Sequence, residues 1–117
     1  MSDLESDKFV VDLSPDIHFY LVVKQLVKDF NNEVFEERVS VLKPDQKEVL
    51  IEEVSLYLLS VCNSSITEFS QLMYVVDMPE KILAPFLSSG QQGWDDFTYQ
   101  VLKREYLKVL IREKYSN

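Results

Sequence analysis

The sequence predicts an all-α fold for its 117 residues, a compact irregular bundle of four to five helices. Only two glycines and four prolines are present, too few for the turns and bulges of a sheet protein. Leu, Val, Glu and Lys come instead in blocks separated by short polar stretches, and the apolar members recur at spacings of three and four. Abundant valine pulls the other way, since β-branched residues favour strands. Residues 1–13 are expected to be a partly disordered or extended segment, and residues 14–117 a single α-helical domain.

The elements follow in order. "FVVDL" (9–13) is a short apolar segment that either lies extended against the body or pairs as an edge strand, and it is expected to pack across the helix over Asp45 to Cys62. In "SPDIHFYLVVKQLVKDF", Ser14 is suited to cap, Pro15 to the first helical position and Asp16 to the positive end of the dipole. Phe19, Val23, Leu26, Val27, Phe30 and Val34 then form one stripe. Either that helix breaks at Asn31-Asn32 or it runs on towards Leu42. "RVSVL" alternates enough to pass for a strand, and helix is favoured over 34–42.

Lys43-Pro44-Asp45 separates this stretch from a helix over Asp45 to Cys62. The second half of that helix is apolar nearly all round, so it is expected at the centre of the fold. Ser65 with Glu68 makes a capping box for a helix over Ile66 to Asp77. Pro79 opens a short helix, "PEKILAPFL", whose own Pro85 limits its length. In "SSGQQGWDDF" (88–97), Gly90 and Gly93 supply positive φ to redirect the chain. Trp94 there reads first as a staple for the last helix, over Trp94 to Tyr115, and second as a partner-binding anchor.

Catalytic, metal and cofactor signatures are lacking. His18 has no nucleophile motif beside it and reads as a boundary residue, although Ser14 and Asp16 lie close in sequence. One histidine and one cysteine are a poor zinc set, and no Glu-x-x-His pair is present for a di-iron site. Glu52 and Glu53 point about 100° apart on a helix and do not converge on one atom. Cys62 is alone, excluding an intrachain disulfide, and reads as a small buried hydrophobe. An acidic N-terminus without a signal-peptide pattern, and no apolar run near ~20 residues, give cytoplasmic as the expected location, with no membrane partner.

Charge narrows the partners further. A net charge of −8 opposes phosphate contacts, so nucleic acid is disfavoured. Residues 97–117 nevertheless carry five bases against two acids, a net of +3, which leaves −11 on the remainder. The expected function is therefore a non-enzymatic protein–protein interaction or structural module, an adaptor or a homo-oligomer, with no cofactor. Its expected partner-binding residues are Trp94, Tyr99, Arg104, Tyr106, Lys108, Arg112 and Tyr115, since Trp, Tyr and Arg are enriched at interfaces. For the tyrosines the competing reading is a core position with the hydroxyl at the rim. The alternative function is a degenerate helix-turn-helix linked to DNA binding or transcription, carried by "FSQLMYVVDMPEKILAPFL". Its second helix holds Lys81 as the sole base.

Overall fold

In the computed structural model, which describes residues 11–115, Asn31 and Asn32 divide the first long apolar stripe into two helices. Asn31 adopts a left-handed conformation (φ 48°) and closes α1 (Asp16–Phe30). Asn32 then caps α2 (Glu33–Val39), its side chain accepting from the Phe35 amide at 3.0 Å. A single 3-10 turn, Pro44–Gln46, leads into α3 (Lys47–Ser64), followed by α4 (Ile66–Val76), α5 (Glu80–Ser88) and α6 (Trp94–Tyr115). The described residues thus form a compact all-α globule of six helices with no strand. The expectation of four to five falls short because two adjacent asparagines both stop one helix and start the next.

Most of the helix signals act where the sequence places them. Ser65 caps α4 by accepting from the Glu68 amide at 3.1 Å, and Asp77 ends that helix at φ 68°. Ser14, by contrast, does not cap α1. Its hydroxyl donates to Asp12 at 2.6 Å, and Pro15 takes the position before the first turn. Pro85 lies inside α5 without ending it. In the 88–97 stretch, Gly90 and Gly93 take φ of 73° and 74° on either side of Gln91 at 63°, turning the chain from α5 into α6. The stretch is a connection, and Trp94 opens the helix that follows.

α3 and α6 share the centre of the fold. α3 packs on α2, α4 and α6, and α6 packs on α1, α3 and α4. α6 buries Phe97, Val101, Leu102, Tyr106, Leu107 and Val109, together with Lys103 and Glu105. α3 buries one stripe, Leu50, Val54, Leu58 and Cys62, and leaves Ile51, Leu56 and Leu59 exposed. Charge on α6 hides its burial: long side chains lay their alkyl stems on apolar surface or find partners inside. The backbone amide of Val11 donates to the Tyr99 hydroxyl at 3.0 Å, and Leu13 is buried. The 9–13 segment therefore meets α6 at Val11, whereas Phe9 and Val10 lie outside the described residues, as does the side chain of Tyr115.

Candidate functional site

Of the seven residues expected to form a partner surface, six have described side chains, and these face several different neighbours. Trp94 is half-buried; its indole N–H donates to Ser55 on α3 at 2.9 Å, and its ring packs on Phe86 and Phe69. Tyr99 is partly exposed and holds the Val11 amide. Arg104 donates to Asp77 beyond α4 at 3.0 Å. Tyr106 is buried edge-on to His18 of α1, with ring centroids 5.5 Å apart. Lys108 pairs with Asp29 of α1 and donates to the Val75 carbonyl at 2.6 Å. Only Arg112 reaches solvent without an ion pair among the described residues. Most of these side chains tie α6 to its surroundings, and they do not combine into one surface.

Where α1 meets α6 there is a buried polar cluster. Gln25 donates to Asp29 at 3.0 Å, and Asp29 is paired with Lys108. Glu105 is fully buried, and neither of its oxygens has a geometrically complete hydrogen bond. Burial first, and then the neighbouring Asp29 carboxylate, push Glu105 up to about 9, with Lys108 giving partial relief. Glu105 is thus a neutral acid near pH 7. It is not a base open to substrate.

The outer side of α3 is the surface that sequence reasoning missed. A groove of about 320 Å³ between α2 and α3 is lined by Val34, Phe35, Leu56 and Tyr57, with Arg38 and Glu53 across it. Leu56 also lines a second groove, of about 300 Å³, beside Ile51, Glu48, Glu52 and Asp95. One exposed leucine therefore joins two grooves into a continuous strip, and Leu59 extends it along the helix. Arg38 binds both oxygens of Glu53 in a fork. That contact raises the guanidinium and lowers the carboxyl of Glu53. Glu53 is neutralised by Arg38, while none of Glu48, Glu52 and Asp95 takes part in an ion pair among the described residues. The signal for this face was present in the sequence, in the apolar residues all round α3, but it was read as burial.

Other chemistry is less well served. The Ser14 hydroxyl is bonded to Asp12, while His18 Nδ1 lies 3.3 Å from the Asp12 carbonyl and its Nε2 lies 3.6 Å from Glu113. Glu52 and Glu53 line different grooves. Among the described residues, no group of three or more His, Cys, Asp or Glu side chains could hold a metal ion, and no helix is long and apolar enough to cross a membrane. α5 follows α4 after a short turn, and its exposed side carries Glu80, Lys81, Ala84, Pro85 and Ser88. Compared with protein-family models, curated proteins and solved structures, the chain matches none.

Proposed function

We propose that the chain is a non-enzymatic adaptor of the cytoplasm that binds another protein through the outer side of α3. One observation carries this reading: α3, apolar nearly all round in its second half, buries a single stripe and leaves Ile51, Leu56 and Leu59 in water. Scattered apolar residues are ordinary on a surface, but a row bridging two grooves suits an interface. Glu48, Glu52 and Asp95 along its edge favour a partner that presents a basic amphipathic helix, its apolar side on Leu56 and its lysines or arginines over the acids. Two copies meeting through this face would set the same acids against each other, so the adaptor is preferred to the homo-oligomer.

The test pairs sedimentation with titration of an amphipathic Leu/Lys helical peptide. The adaptor reading expects a monomer that binds the peptide, with Leu56→Asp weakening binding by about tenfold or more. A dimer dissociated by Leu56→Asp would replace the adaptor with self-association. Peptide binding indifferent to Leu56→Asp would remove this face. Retention on DNA at physiological salt, lost in Lys81→Glu, would favour the helix-turn-helix alternative instead.

A further inference from the structure

A third groove, of about 580 Å³, runs between α1 and α6 on a different face, within the size range of small-molecule sites. Leu21, Val27 and Val109 give it apolar walls. Lys24, Lys28 and Arg112 stand around it, and none of the three takes part in an ion pair among the described residues. In a chain of net charge −8, a groove with three cations against two acids is a local reversal of sign. Glu36 and Glu113 also line it, and Glu113 faces His18 Nε2 at 3.6 Å.

Gln25 forms part of the groove floor and is only 3% exposed. Its NH₂ donates to Asp29, which Lys108 holds in turn, and its amide oxygen is buried beneath the surface. The floor therefore offers no open polar group at this point, and the charged groups of the groove are those at its sides.

We propose that this groove binds a small organic anion. The apolar body lies on Leu21, Val27 and Val109, and the carboxylate or sulfonate sits among Lys24, Lys28 and Arg112. A neutral analogue loses the cationic contacts.

Anilinonaphthalenesulfonate is a suitable probe because it joins an apolar body to one anionic group, and it fluoresces when bound. Phenylnaphthylamine supplies the same rings and N–H without the charge. One saturable site is expected for the anion, with the neutral dye and the Lys28→Glu/Arg112→Glu double variant each weaker by about tenfold or more. Leu56→Asp is expected to stay within about twofold of wild type, which separates this groove from the α3 face. Equal binding of both dyes would overturn the proposal. So would a double variant that binds as wild type, or loss of the site in Leu56→Asp.

Discussion

Glu105 of α6 is buried against Asp29 of α1, and of the two it is Glu105 that is pushed up to about 9. Its unfolded counterpart, at 4.5, gives up its proton in mild acid. Between these values the folded chain binds a proton that the unfolded chain releases. The contribution of Glu105 to stability is therefore fully present below 4.5 and declines as pH rises towards about 9. Glutamine is neutral at every pH and nearly the same shape. Glu105→Gln should therefore match wild type near pH 4 and exceed it by up to about 3 kcal/mol at pH 7. Urea denaturation at several pH values measures this; a variant less stable than wild type at pH 8 would contradict it.

Trp94 offers a graded test of the α3–α6 seam. Trp94→Phe keeps a ring against Phe86 and Phe69 but loses the bond to Ser55, costing about 1 kcal/mol. Trp94→Ala empties the site and costs about 3 kcal/mol. Equal losses in the two variants, measured by chemical denaturation followed by circular dichroism, would mean that the ring contributes nothing.

Arg38 and Glu53 link α2 to α3 through a two-point contact that lowers the Glu53 carboxyl. A lowered carboxyl stabilises above its unfolded value, and that contribution fades as pH falls through its folded one. Arg38→Ala should therefore melt below wild type at pH 7, with the two curves converging in acid, below 4.5. A gap between their melting temperatures that persists unchanged at pH 3 would assign the effect to packing of the arginine stem.

Cys62 lies in the buried stripe of α3, and burial pushes its thiol up. Less thiolate and little access both slow attack on a disulfide reagent. The native thiol is expected to react about tenfold or more slower than in urea, and a native rate equal to the unfolded one would place Cys62 outside the core.

Much of the helix layout was legible because its signals are local. Ser65, Pro79, Gly90 and Gly93 mark boundaries through hydrogen bonding and φ preference alone, without help from distant contacts. The roles of α3 and α6 were not legible, because burial depends on neighbours that sequence spacing does not name. Composition places α3 at the centre, but it announces neither Leu56 in water on that helix nor Glu105 in the core on the charged α6. The pairing of Lys108 with Asp29 spans 79 residues, and no periodicity within either helix announces it. Tyr106 and Tyr99 illustrate the same limit. Both belong to one basic, tyrosine-bearing helix, yet one is 4% exposed and the other 38%.

The helix that closes the core also follows all the others along the chain. During synthesis α1 through α5 emerge before the element that packs on α1, α3 and α4. Val11 waits 88 residues for Tyr99, and His18 the same span for Tyr106. Until Trp94 to Tyr115 arrive, Phe19, Leu58 and Phe69 lack their common packing partner, and a nascent chain that ends short of α6 leaves that apolar surface open. A chaperone able to shield that interval would matter more to the yield of this protein than to its final stability.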